Sequence, residues 1–266
     1  MTADSRRERE GRLSVATRVQ QLLLPASPPA CGWSCIGVRN SMAEGLGGDF
    51  YDFVPTVDGC QAVMIGDVVG HGTSAALVMG LLYGYIHSRL QTVCSVHQVV
   101  ERVNAFLKSF AARTQTDDHL FSATLFFGII DPQSLKLEYL NAGHPPPLVR
   151  RGDQVLTLDA TTHPLGFFDI PESSTQIFQF QKGDRWLLYT DGMIETADVT
   201  GSLFGANRLR ELLLSHNGDH LQLLDNLMTT VNRFRGSDRP DDDCTAIAID
   251  FHRMGGAWHG SPERPA

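Results

Sequence analysis

Long apolar runs are missing from this sequence. The most nonpolar stretches, near residues 75–85 and 121–130, fall short of the roughly 18 residues that a bilayer span requires. The polar start, residues 1–11, has no feature of a secretion signal. Basic residues are also scarce: 22 Lys and Arg stand against 30 Asp and Glu, a formal net charge of -8, which lends no support to a nucleic-acid footprint. Cysteine is sparse and odd in number. The five, Cys31, Cys35, Cys60, Cys94 and Cys244, have neither a zinc-site spacing nor a disulfide framework, and Cys31 and Cys35 read as an incidental pair in a Pro- and Gly-containing linker. These absences lead us to expect a cytoplasmic protein with no membrane and no nucleic-acid partner.

Aspartate beside glycine is what the chain does have, at four separated places. They are Gly48-Asp49-Phe50-Tyr51-Asp52, Asp67-Val68-Val69-Gly70-His71-Gly72, Thr190-Asp191-Gly192 and Asp241-Asp242-Asp243-Cys244-Thr245. Three of the four sit at the ends of apolar runs, where a strand delivers a carboxylate to the mouth of a sheet without burying its charge. Any one of them alone reads as an ordinary Asp-Gly turn. Together they point to a carboxylate-bound metal centre, and the hard oxygen donors suit magnesium or manganese better than zinc. Glycine beside aspartate also lets backbone carbonyls approach such an ion.

Periodicity organises the rest. Helical spacing of Val15, Ala16, Val19, Leu22 and Leu23 predicts an amphipathic helix over 13–24, ended by Pro25. Strands are predicted at 33–39, 50–55 and 61–67, the last two joined through Asp58-Gly59. Two helices follow, from 75 towards 90 with Thr73 or Ser74 as its cap, and over 95–110. Further strands are expected at 122–130, 136–141, 147–150, 154–157, 175–179 and 185–189, then helices at 206–214 and 220–233 and a strand at 244–251. This order suits antiparallel sheets flanked by helices better than repeated strand-helix-strand units. We expect residues 1–30 to form an amino-terminal helix and connector, 31–252 one domain, and 253–266 a flexible tail.

With Gly47-Gly48-Asp49-Phe50-Tyr51-Asp52, Asp67 through Gly72, Asn141-Ala142-Gly143-His144-Pro145, Thr190-Asp191-Gly192 and Asp242-Asp243-Cys244-Thr245 in this order, the chain resembles the metal-dependent serine/threonine protein phosphatases. The likeness is to their bacterial branch, related to the sporulation stage II E phosphatase and to regulators of sigma-factor cascades. Each motif is weak alone; the ordered set is specific. The resemblance implies an α+β fold, a four-layer α-β-β-α sandwich with two mostly antiparallel sheets. It implies two Mn2+ or Mg2+ ions held by Asp49, Asp67, Asp191, Asp242 and the Val68 carbonyl. Asp52, His71 and Asp243 would support these ligands from behind, and Arg39 is the nearest counterpart of a phosphate-clamping arginine. The implied reaction is hydrolysis of phosphoserine or phosphothreonine by metal-activated water on a regulatory protein of the anti-anti-sigma kind, acting in partner switching. Residues 13–24 resemble a connector to an upstream sensor domain or to a second copy in a homodimer. His71 and His144 are chemically able to move protons, and both also suit structural roles in their turns.

Two other functions compete. A catalytically weak phosphatase-like domain that binds a partner is disfavoured by retention of all four acidic positions. A nucleotide cyclase is suggested by Gly47-Gly48-Asp49-Phe50 alone, and the later motifs argue against it. No feature of the sequence names the phosphoprotein.

Overall fold

The structure is a computed structural model, and it describes residues 15–113, 121–237 and 240–252. The start of the expected connector (1–14), residues 114–120 and 238–239, and the expected tail (253–266) lie outside the described residues.

Two five-stranded antiparallel sheets face each other. One runs, edge to edge, β1 (Ser34–Ser41), β10 (Cys244–Phe251), β9 (Arg185–Tyr189), β6 (Leu148–Arg151) and β7 (Gln154–Thr157). The other runs β2 (Phe50–Pro55), β3 (Gln61–Val68), β4 (Ala123–Asp131), β5 (Lys136–Ala142) and β8 (Gln176–Gln179). Helices α2 (Gly72–Leu90) and α3 (Val96–Ala111) cover the second sheet. Helices α5 (Gly205–Ser215) and α6 (His220–Arg235) cover the first, so the layers follow α-β-β-α. A short helix α4 (Gly192–Glu195), not expected from the sequence, follows the third acidic motif. The described part of the amino-terminal helix, α1, is residues 15–23. No helix among the described residues is long and apolar enough to cross a membrane.

Strands covered on both faces explain why β3, β4 and β10 read as continuous apolar runs instead of alternating ones. Between the sheets the core is aromatic. Trp186 of β9 meets Phe126 of β4 edge-on at 5.6 Å and Phe180 at 5.0 Å, and Phe180 stacks on Phe251 at 4.2 Å.

Register determines where the acidic motifs go. Phe50 pairs with Gly66 across β2 and β3, and Ala246 pairs with Tyr189 across β10 and β9. Asp49 therefore enters β2 where Asp67 leaves β3, and Asp191 follows β9 where Asp242 and Asp243 precede β10. All four motifs reach one end of the sandwich.

Helix α2 departs from expectation at its start. Neither Thr73 nor Ser74 caps it: His71 occupies the cap position without a side-chain cap bond, and the helix begins at Gly72. Helix α1 buries Gln20, and Leu24 is buried just after its end, while Val15, Val19 and Leu22 of the predicted stripe are exposed.

His144 plugs the gap between the sheets at this same end. It is 1% exposed; its N–H donates to Asn141 Oδ1 at 2.8 Å and its Nδ1 lies 2.9 Å from Thr124 Oγ1. Nε2 approaches the Tyr189 backbone of the other sheet without forming a well-aligned hydrogen bond. Burial pushes its pKa down to about 3, so the ring is neutral and its role is to fix the turn. An unfolded histidine takes its proton near 6.5, so from about pH 6.5 downwards the unfolded chain binds one proton more than the native state. The stability contributed by neutral His144 is complete above that pH and falls by about 1.4 kcal/mol per unit below it. Urea unfolding of wild type and His144→Gln should therefore show a stability gap that narrows by about 2 kcal/mol between about pH 7.5 and about pH 5. A gap independent of pH would mean that the imidazole is not held neutral.

Candidate metal centre

Asp49 is the buried floor of the site. It is 1% exposed, and its Oδ2 accepts from Thr190 Oγ1 at 2.8 Å and Thr245 Oγ1 at 2.5 Å. Thr245 N–H donates in turn to Thr190 Oγ1 at 3.0 Å, and Asn40 Nδ2 to Thr245 Oγ1 at 2.7 Å. Asp49 belongs to the second sheet and the two threonines to the first, so this network ties the sheets together. Burial holds the Asp49 pKa well above the carboxylate range. The threonine hydroxyls pull it down and Asp243 and Asp191 push it further up.

Above Asp49 lies a cleft of about 520 Å³ whose walls include Asp67, Val69, His71, Asp191, Glu195 and Asp242. Asp67 is pushed up to about 9 by burial first and then by Asp49, Asp191, Asp242 and Asp243. Asp191 is raised by burial, Asp242 and Glu195. It starts α4 without a side-chain cap bond, so its carboxylate is not consumed by the helix. Asp242 is exposed at the cleft wall and accepts the Asp243 N–H at 2.8 Å.

Asp243 points elsewhere. Its Oδ1 accepts from the Ala43 N–H and its Oδ2 from the Gly48 N–H, each at 2.9 Å, so it fastens the loop before β2. That loop makes a close approach at Gly48, where a Cβ would stand 2.5 Å from the Val68 carbonyl oxygen and 2.7 Å from Asp67 Oδ1. Any side chain there would displace one or the other.

These donors fit a hard divalent cation. They are carboxylates with a backbone carbonyl close by, and the leading influences on Asp67 are desolvation and other negative charges, the situation a bound cation relieves. Among the described residues no three His, Cys, Asp or Glu side chains already close on one point. The carboxylates line an open cleft, where ligands can draw inwards around an ion.

Other expected residues are placed differently. Arg39 is a correction: its Nε pairs with Asp225 Oδ1 on α6 at 2.7 Å. Neighbouring strand residues face opposite sides of a sheet. Asn40 reaches inward to Thr245, so Arg39 faces the helix layer and not the cleft. Asp52 likewise turns to α2, accepting from the Tyr83 hydroxyl and contacting His87 Nε2 at 2.6 Å. It supports the strand-helix contact and touches none of the clustered carboxylates directly. His71 does line the cleft, exposed at its rim and 3.5 Å from Glu44.

Sequence reasoning missed Gln20. It is 5% exposed on α1; its Nε2 donates to the Gly47 carbonyl at 2.6 Å and its Oε1 accepts the Gly47 N–H at 3.1 Å. A polar residue four positions after Ala16, within an apolar helix, was the available signal. Asn40, Thr190, Thr245 and Glu195 were missed as well, because their roles arise only when the two sheets meet.

The family model for Stage II sporulation protein E matches residues 57–252. The chain is 27% identical over 259 residues to Protein IcfG of Synechocystis sp., covering 89% of this chain and 41% of that protein. It is 29% identical over 214 residues to phosphoserine phosphatase RsbP of Bacillus subtilis, covering 79% of this chain and 50% of that one. The chain thus spans half or less of either relative. Among solved structures, the PP2C domain of SiaA from Pseudomonas aeruginosa superposes with a TM-score of 0.80 at 20% identity, over 94% of this chain and all of that one. The PP2C phosphatase domain of SpoIIE from Bacillus subtilis, solved with a fragment of its regulatory domain, gives 0.70 at 23% identity, over 82% of this chain and 62% of that one. The family match runs from the β2–β3 turn to the end of β10, and the chain belongs to the Stage II sporulation protein E family.

Proposed function

We propose that this chain hydrolyses phosphoserine or phosphothreonine on a regulatory protein, using two Mn2+ or Mg2+ ions. The observation that carries the reading is the gathering of Asp67, Asp191 and Asp242 around one cleft, with Asp49 buried beneath it. In this reading Asp49, Asp67, Asp191, Asp242 and the Val68 carbonyl hold the ions. When bound, such ions activate water near neutral pH and neutralise phosphoryl oxygens. Thr190 and Thr245 fix the Asp49 carboxylate, Asp243 keeps Gly48 against Val68, and His71 and Glu195 border the entrance.

The unit proposed to carry this activity is residues 31–252, with α1 as a connector to an upstream sensor domain or a second copy. The partner proposed is a phosphorylated protein of the anti-anti-sigma kind. Likeness to a protein named phosphoserine phosphatase RsbP supports phosphoserine as the group it carries.

Chelation should abolish phosphate release from a phosphoserine protein, and manganese or magnesium should restore it. Asp67→Asn and Asp191→Asn should each lower turnover by about 100-fold or more and weaken manganese binding in calorimetry, while exposed Asp153→Asn changes neither. Full turnover after verified metal removal would reject the mechanism. Tight manganese binding without turnover on any phosphoprotein would favour a partner-binding domain instead.

The Gln20–Gly47 pairing supports the connector role, because it joins α1 to the loop that carries Asp49. Gln20→Ala should raise the manganese concentration needed for half-maximal turnover by about tenfold, with activity recovered at saturation. A loss of about 1–2 kcal/mol of stability with unchanged manganese dependence would reduce α1 to packing.

A further inference from the structure

Thr190 and Thr245 donate to Asp49, and the direction of their hydroxyl protons is set by groups one step further out. Both threonines are buried, one position beyond the Ala246–Tyr189 pair at the end of the β9–β10 ladder. A regular antiparallel rung there would exchange two backbone bonds. The Thr190 N–H makes its half, to the Thr245 carbonyl at 3.0 Å, but the Thr190 carbonyl accepts the Met193 N–H at 3.1 Å as the chain enters α4. The Thr245 N–H donates to the Thr190 hydroxyl instead, at 3.0 Å.

A threonine hydroxyl has one proton to give and lone pairs that accept. A backbone N–H already points at Thr190 Oγ1, so that hydroxyl turns its own proton to Asp49 Oδ2, 2.8 Å away. Thr245 is polarised in the same sense by a side chain. Asn40, half-buried and opposite Thr245 in the β1–β10 register, presents its Nδ2 amide to Thr245 Oγ1 at 2.7 Å, and that oxygen lies 2.5 Å from the same Asp49 Oδ2. An amide nitrogen donates and does not accept. Each hydroxyl therefore receives a hydrogen bond from an N–H on one side and gives its own proton to Asp49 on the other.

We propose that Asn40 is a positioning residue of the carboxylate centre: it commits the Thr245 hydroxyl to Asp49 and so holds that carboxylate in the orientation that receives a divalent cation. This rests on the metal centre of the proposed function and deepens it. Asn40 acts through two hydrogen bonds in series, from β1 through Thr245 of β10 to the opposite sheet. Two donors on one oxygen restrict the rotation of a carboxylate, and partners standing behind a metal ligand in this way are typically worth about 10–100-fold in metal affinity.

Manganese titration of the full chain by calorimetry tests the relay, because it reads binding without turnover. Thr245→Val should raise the Kd for manganese by about 30-fold and Asn40→Ala by about tenfold, while Thr245→Ser, which keeps the hydroxyl, stays within about threefold of wild type. The double variant Asn40→Ala/Thr245→Val should bind no more weakly than Thr245→Val alone, since Asn40 then has no hydroxyl to act on. Asn40→Asp separates the relay from simple charge: its carboxylate competes for the Thr245 proton and should weaken manganese binding, whereas a negative charge acting through space would tighten it. Wild-type affinity in Asn40→Ala, additive losses in the double variant, Thr245→Ser as damaged as Thr245→Val, or tighter binding by Asn40→Asp would each overturn the relay. If circular dichroism shows Thr245→Val unfolded, the two Asn40 variants and Thr245→Ser decide by the same criteria. Wild type that binds no manganese would defeat the metal centre, and this inference with it. Wild type that binds manganese but turns over no phosphoprotein would defeat the phosphatase reading alone, and weakened binding in Asn40→Ala and Asn40→Asp would still support the relay.

Discussion

Everything at the mouth of this sandwich depends on one buried carboxylate. Asp49 is nearly inaccessible, and its carboxylate accepts hydrogen bonds from hydroxyls of the opposite sheet, Thr190 and Thr245. A carboxylate so placed is costly unless paired or neutralised, and its position cannot shift without parting the two sheets. The other acidic residues take their places around it. Asp243 holds the loop that leads into Asp49, Gly48 brings that loop against Val68, and Asp67 rises beside it. Acidic groups are concentrated at one site, an arrangement that a bound cation would relieve.

Much of this was legible in the sequence because it is local. Aspartates at the ends of apolar runs follow from strand geometry, and antiparallel pairing then carries them to one end of the sandwich. The strands themselves were readable for the same reason: β3, β4 and β10 are apolar almost throughout. What failed depended on which way a side chain faces. Arg39 and Asn40 are neighbours, and the pleat sends one to α6 and the other to Thr245. Asp52 sits in an acidic motif, yet Tyr83 and His87 of α2 claim its carboxylate. No local pattern distinguishes these outcomes, since each needs the position of an element far away in sequence.

Helix α1 was legible as an amphipathic helix, but the way the domain holds it was not: Gln20 pairs with the Gly47 backbone, and Val15, Val19 and Leu22 of the stripe are exposed. The helix therefore has two separate faces: a polar clamp on the Gly47 backbone and an apolar surface turned outwards. A helix that only capped the core would bury the second.

The most direct measurement is anomalous diffraction from crystals of this chain loaded with manganese. The account predicts peaks in the cleft, at about 2.2 Å from oxygens of Asp49, Asp67, Asp191 and Asp242 and from the Val68 carbonyl, with Asp52 and Arg39 uninvolved. No peak in the cleft at millimolar manganese, or peaks bound by other residues, would contradict it.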